Sequence, residues 1–477
     1  MVAPRAVAAA ILLLAAGRDA RAQPTLSVDL KSPDSIKSAA KIVATKLVSY
    51  YHGTEYGKTV GILPGPPSDG LGPYYWWEAG AMWGTLIDYW HYTGDDRYNA
   101  ITSEALIFQS ANSYQHRNWT ASLGNDDQAF WGMSAMLAAE VNFPNPPADQ
   151  PQWLALAQAV FNTQAPRWKT DYCNGGLRWQ IPPTNGGYNY KNSIANVCFL
   201  NLGARLARYT GNETYSFWAE KTWDWMEGVG YIDEYFNVYD GGNVEKNCSD
   251  INFVQFSSNA AVLLHGAAIM YNHTKGSDKW GIRLAGLLGR TLDHFFPNGT
   301  MVERACELEK MQCNEDQHSF KGYMLRALAT VATVANFTRP VILETLRFNT
   351  KAAVQSCLSD GTCGFRWNIG KYDGDTDNGP AGQAMSALAA LSTLLIDQQP
   401  VKGPLTDSTG GTSVGDPNAG TGPAALEPPR PATPSDRGGA SVITALLLAS
   451  FLCSLVWICS GWTESPGAPA TSQPPWI

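Results

Sequence analysis

The chain is poor in charge. Only 16% of its 477 residues are Asp, Glu, Lys or Arg, and the balance is acidic, with a formal net charge of −8. It lacks the Lys/Arg clusters that neutralise phosphates, which argues against a nucleic-acid partner. No zinc-type His/Cys spacing and no phosphate-binding glycine loop before a helix occurs, so the sequence calls for no metal and no cofactor. Asp373-Gly374-Asp375-Thr376-Asp377-Asn378 opens like a calcium loop, but Asn378 stands where Gly is needed and Ala384 where the bidentate Glu belongs. Gly411-Thr412-Ser413-Val414-Gly415 fits the G-x-S-x-G nucleophile elbow but lacks the strand, turn and helix that an elbow requires. Alternating strand patterns are missing too, which excludes a β-rich fold.

What is present divides the chain into five parts. Residues 1–22 read as a secretory signal, with Arg5, the apolar run Ala6 to Ala16, and the cleavage pattern Ala20-Arg21-Ala22. Residues 23–400 form one globular region. Residues 401–439, rich in Gly, Pro, Ser and Thr, read as a flexible stalk. Residues 440–460 carry no charge and read as a GPI-attachment signal or a membrane anchor, followed by a polar tail, 461–477. The expectation is a secreted protein held at the outer face of the plasma membrane or in a cell wall. Six N-x-S/T sequons, at Asn118, Asn212, Asn247, Asn272, Asn298 and Asn336, suit a secreted glycoprotein. Of nine cysteines, Cys306 with Cys313 and Cys357 with Cys363 are close enough to close small loops; Cys173 with Cys248 is a third candidate pair, which would leave Cys198 free.

The globular region reads as helical almost throughout, because apolar residues recur every three or four positions and the breaks fall at Gly, Pro, Asn and Asp. Expected helices span 34–52, 76–93, 95–116, 127–141, 151–168, 191–209, 214–228, 255–273, 278–295, 316–336, 339–356 and 380–397. The joint Tyr92-Thr93-Gly94-Asp95-Asp96 is echoed by Tyr209-Thr210-Gly211-Asn212-Glu213, each a cap glycine followed by the start of the next helix. Weaker echoes near Asn145, Asn272 and Asn336 bring the hairpins to five. Pairing the first and last helices would make a sixth and close a ring. The fold expected is therefore all-α, an (α/α)6 barrel.

In such a barrel the inner helices would start at one rim, and the polar and aromatic clusters fall there. Asp126-Asp127 is the sharpest: two adjacent carboxylates in a partly dry cleft cannot both ionise easily, which is the division of labour that glycoside hydrolysis uses. Helix capping is the bland role for such a pair. Around it, Trp76, Trp77, Trp131 and Trp179 are candidates to stack on sugar rings, although core packing is the commoner fate of a tryptophan. Glu78, Asn125, Gln128, Tyr190, Lys191, Asn192 and Asp316 are candidates to hold hydroxyls, with helix starts as their ordinary role.

Several long motifs in a fixed order resemble glycoside hydrolase family 76, in its fungal, GPI-anchored, mannan endo-1,6-α-mannosidase-like branch. They are YYWWEAGAMWGTLIDYWHYTGD from Tyr74, GNDDQAFWGMSAM from Gly124, GGLRWQI from Gly175, YNYKNSIANVCFLNLGARLARYTGN from Tyr188 and DQHSFKGYMLR from Asp316. The resemblance implies the same barrel and retaining chemistry, with Asp126 as nucleophile and Asp127 as general acid/base. It also implies a role in wall assembly, with α-mannan or a GPI-glycan core as donor and a wall polysaccharide as acceptor. One position departs from the pattern: Phe256 stands where the family tends to have Tyr before Asn. A non-catalytic α-mannan-binding wall protein on the same scaffold is the competing expectation.

Overall fold

The computed structural model describes residues 24–115, 122–308, 313–374, 379–398, 403–422 and 434–460. The signal segment 1–22, the Asn118 sequon, residues 375–378 of the calcium-like loop and the tail 461–477 lie outside them. Two units are distinct, Met1–Pro423 and Ala424–Ile477.

Among the described residues the first unit is a ring of twelve helices of eleven residues or more: α1 Pro33–Val48, α2 Trp76–Thr93, α3 Asn99–Gln109, α4 Asn125–Glu140, α5 Trp153–Gln164, α6 Ser193–Thr210, α7 Glu213–Gly228, α8 Ser257–His273, α9 Asp278–Phe295, α10 Phe320–Val334, α11 Arg339–Gln355 and α12 Ala381–Gln398. The even-numbered helices pack side by side around an inner ring that closes where α12 meets α2, and each odd-numbered helix backs an inner one, α1 pairing with α12. This is the (α/α)6 barrel, with the sixth hairpin made from the first and last helices. Burial explains the two layers. Inner helix α8 is buried almost all round, whereas outer helix α9 hides one stripe, including Trp280, Leu284, Leu287, Leu288, Thr291 and Phe295.

The chain turns between layers where the sequence marks it. Gly94 and Gly211 sit in the left-handed region at φ 78° and 70°, each returning its N–H to the last turn of its helix. Asn192, Asn212 and Ser277 cap α6, α7 and α9 through their side chains. Disulfides join Cys173–Cys248, Cys306–Cys313 and Cys357–Cys363, and Cys198 is buried and unpaired. The expected helix 191–209 begins later, because Tyr190–Asn192 is a short strand, β1, antiparallel to β2, Gly241–Asn243.

Residues 403–422, assigned above to a free stalk, are folded onto the barrel. Their composition offers no core, but their main chain is bonded by Glu140, Asn142, Asn145, Gln158, Asn162 and Arg208. In the second unit, helix Pro434–Ser460 contains the apolar run, and its side chains over 441–456 are exposed. Among the described residues no helix is long and apolar enough to cross a membrane.

Candidate active site

All six inner helices begin at one end of the ring, and four stretches meet there. The start of α2 brings Trp77 and Glu78, the start of α4 brings Asp126 and Asp127, the four-residue helix Glu315–His318 before α10 brings Glu315 and Asp316, and the loop before β1 brings Trp179. Helix α4 starts at Asn125, two residues earlier than the pattern indicates, so both aspartates lie inside its first turn. Gly124 is required before them. A Cβ there would lie 2.2 Å from Asp126 Oδ1 and 2.7 Å from Asp127 Oδ2. Its N–H donates to Asp127 Oδ2, while Asp126 Oδ1 has no partner.

The turn is held from behind. Asn125 N–H donates to the Trp179 carbonyl at 2.8 Å, and Asn125 Nδ2 to the Arg178 carbonyl at 2.8 Å. Arg167, in the 3-10 turn Ala165–Arg167 that follows α5, donates to Asn125 Oδ1 at 2.7 Å and Gln128 Oε1 at 2.8 Å. No sequence signal marked this arginine; it stands alone, far along the chain from the turn it secures.

Electrostatically the site is crowded with acid. Burial pushes the Asp126 carboxyl up to about 7, with Asp316 adding to the effect. Burial and then the Asp126 charge push Asp127 well above the carboxylate range. Burial, with Glu315 beside it, raises Asp316 to about 7, and burial with Asp316 and Glu315 raises Glu78 strongly. Among the described residues none of these four makes an ion pair. The helix start opposes the shift, since its free N–H groups favour the anion, but desolvation is the larger influence. Trp77 donates its indole N–H to Asp316 Oδ1 at 3.1 Å and packs on Phe130, centroids 4.6 Å apart. Phe130 is one helical turn below Asp126, so the site has an aromatic floor.

Other candidates belong to the scaffold. Trp131 is fully buried and stacked between Trp76 and Tyr114, and Trp76 donates to Gln109 at 2.9 Å, so neither offers a ring face to a ligand. Gln128 is buried and donates to Ser113 O and Thr163 Oγ1. Lys191 is buried and donates to the carbonyls of Lys169, Tyr172 and Gly175. Asn192 caps α6, and Tyr190 donates to Asp240 at 2.8 Å. Strand β1, which the helical reading overlooked, carries these three residues into their scaffold contacts. Trp77, Glu78, Asp126, Asp127 and Asp316 gather as expected. Trp179 joins them, 36% exposed, with its indole close enough to Asp126 to favour the carboxylate form.

The profile of Glycosyl hydrolase family 76 matches residues 35–408. The mannan endo-1,6-alpha-mannosidase DCW1 of Eremothecium gossypii is 44% identical, covering 96% of this chain and 100% of its own length. The Saccharomyces cerevisiae protein of the same name is 44% identical, over 91% of this chain and 95% of its own. The crystal structure of Dfg5 from Chaetomium thermophilum in complex with glucosamine superposes with a TM-score of 0.79 at 53% identity, over 82% of this chain and 97% of that one. An alpha-1,6-mannanase of a Salegentibacter species, solved as an inactive variant with two consecutive aspartates changed to asparagine and with alpha-1,6-mannotriose bound, shares the fold at 16% identity. Its TM-score is 0.61, over 76% of this chain and 99% of its own. The chain belongs to glycosyl hydrolase family 76 and is a glycoside hydrolase.

Proposed function

We infer that the enzyme cleaves α-1,6-mannosidic bonds inside a mannan or GPI-glycan chain with retention of configuration, and passes the glycosyl group to a wall polysaccharide. The observation that carries this is the adjacent Asp126–Asp127 pair in the first turn of α4, both carboxyls pushed above the usual carboxylate range by burial. The names of the DCW1 relatives support the linkage, and the inactive Salegentibacter variant supports a role for adjacent aspartates in such an enzyme.

In the first step Asp126 attacks the anomeric carbon as Asp127 gives its proton to the departing glycosidic oxygen, leaving a mannosyl ester on Asp126. In the second, Asp127 takes the proton of an acceptor hydroxyl, whose oxygen displaces Asp126 from the same carbon. Water in that place gives hydrolysis; a sugar hydroxyl gives transfer. The exposed Trp179 ring supplies a stacking face beside Asp126. The signal segment and apolar C-terminal run support secretion and surface anchorage, with GPI attachment the form that suits the wall role.

The test is incubation of the full chain with α-1,6-mannotetraose, alone and with a wall-glucan oligosaccharide. Mass spectrometry is expected to show transfer products that vanish in Asp126→Asn and Asp127→Asn. Turnover unchanged in both variants would overturn the assignment, and binding without any product would favour the glycan-binding reading.

A further inference from the structure

The folded stretch 403–422 reaches the catalytic end of the barrel. At the opposite end, Leu405 N–H donates to the carbonyl of Glu140, the last residue of α4, at 2.7 Å. Arg208 Nη2 donates to the Pro404 carbonyl at 2.8 Å, and Asn142 Nδ2 to the Gly410 carbonyl at 2.8 Å. The chain then climbs α5. Ser413 Oγ accepts the N–H of Leu154 at 2.9 Å, in the first turn of a helix whose own N-cap residue, Gln152, makes no side-chain capping bond. Asp416 N–H donates to Gln158 Oε1 at 2.7 Å, and Asn162 Nδ2 donates to the carbonyls of Pro417 and Ala419, both at 2.9 Å. Positions 154, 158 and 162 form one stripe along the whole helix. Gly420 closes the run at φ 77°, where a Cβ would lie 2.7 Å from the Ala159 carbonyl and 3.1 Å from Thr163 Cγ2.

The last turn of α5, thus gripped, grips the aspartate turn in its own right. Thr163 Oγ1 accepts from Gln128 Nε2 at 2.9 Å, and Gln164 Nε2 donates to the Asn125 carbonyl at 2.6 Å. Arg167 follows directly, with its two bonds to Asn125 and Gln128. The family profile stops at residue 408, so the part that climbs α5 lies beyond it.

We propose that residues 403–422 are a positioning strap of the catalytic unit. It fixes α5 along one stripe and, through Thr163, Gln164 and Arg167, holds the Asn125–Gln128 turn that carries the reacting pair. Ser413, set in a motif that looks like a nucleophile elbow, is an N-cap supplied from a distance. The inference rests on Asp126 and Asp127 being the reacting groups, and a misplacement of about 1 Å at such groups costs up to about a hundredfold in rate.

The test uses the full chain carrying Ser413→Ala with Asn162→Ala, each single variant in case the pair does not fold, and Ser413→Thr as the conservative control. Amide hydrogen exchange is read at 124–128 and, for comparison, at 320–323 at the start of α10. Exchange at 124–128 is expected to rise about fivefold or more while 320–323 is unchanged. On α-1,6-mannotetraose, kcat is expected to fall about tenfold with KM within about twofold, and Ser413→Thr to behave as the parent. Faster exchange confined to 403–422, with 124–128 unmoved, would overturn the strap. If the parent chain itself turns over no mannotetraose, the functional reading fails, and the exchange comparison still decides the strap alone.

Discussion

The carboxyls at the inner rim are held against their own ionisation, and that sets both a rate profile and a stability profile. With burial raising Asp126 to about 7, kcat/KM should climb as pH rises toward 7, when Asp126 becomes a nucleophile, while burial and the Asp126 charge hold the Asp127 proton well beyond the usual carboxylate range. Because Asp316 adds to the rise at Asp126, Asp316→Asn should move the acidic limb to lower pH. The stability consequence has the opposite sense to that of a salt-bridged aspartate. Above the unfolded value of 3.8 the unfolded chain gives up a proton that the folded chain keeps until about 7, so stability is lost across that interval as pH rises. Asp126→Asn should therefore raise the melting temperature at pH 8 and leave it unchanged at pH 4; an equal shift at both would contradict the account. This level was partly legible in the sequence. Paired acids and a tryptophan at a helix start signal chemistry by their type, and Asp126, Asp127, Trp77 and Asp316 do meet. Lys191 and Trp131 carry the same types, and only packing shows that one ties down three carbonyls and the other lies between two rings.

Between residues and ring stand the turns that aim the side chains. Gly124 has an ordinary φ of −96°, so its need for glycine is spatial: both carboxylate oxygens occupy the place of a Cβ. Gly124→Ala should lower kcat about a hundredfold by displacing the pair, with the melting temperature at pH 8 little changed; activity within about twofold of the parent would refute the crowding. Lys191→Met should do the reverse, costing about 3 kcal/mol of stability through unpaired buried carbonyls, with KM for mannotetraose unchanged in the folded fraction. Helix existence was readable from period and capping, as Gly94 and Gly211 show. Strand β1 was not, because three residues entering a helix carry too short a pattern to register as extended.

At the scale of the molecule, ring closure followed from counting hairpins, since twelve helices with repeated joints leave the first and last to pair. The strap escaped the same reading because composition reports the lack of a core, whereas 403–422 is fixed by bonds to its main chain. The Cys173–Cys248 bridge closes a loop with a sequence separation of 75 residues, so the Cys173→Ser, Cys248→Ser variant should lose about 4 kcal/mol on the chain-entropy account, read by denaturant unfolding at equilibrium. The central claim is that two adjacent aspartates on one barrel rim cleave the mannosidic bond by double displacement. The measurement closest to it is proton NMR of the first product formed from α-1,6-mannotetraose, recorded before mutarotation. The account predicts the α-anomer at the new reducing end; the β-anomer appearing first would mean direct attack by water and would contradict it.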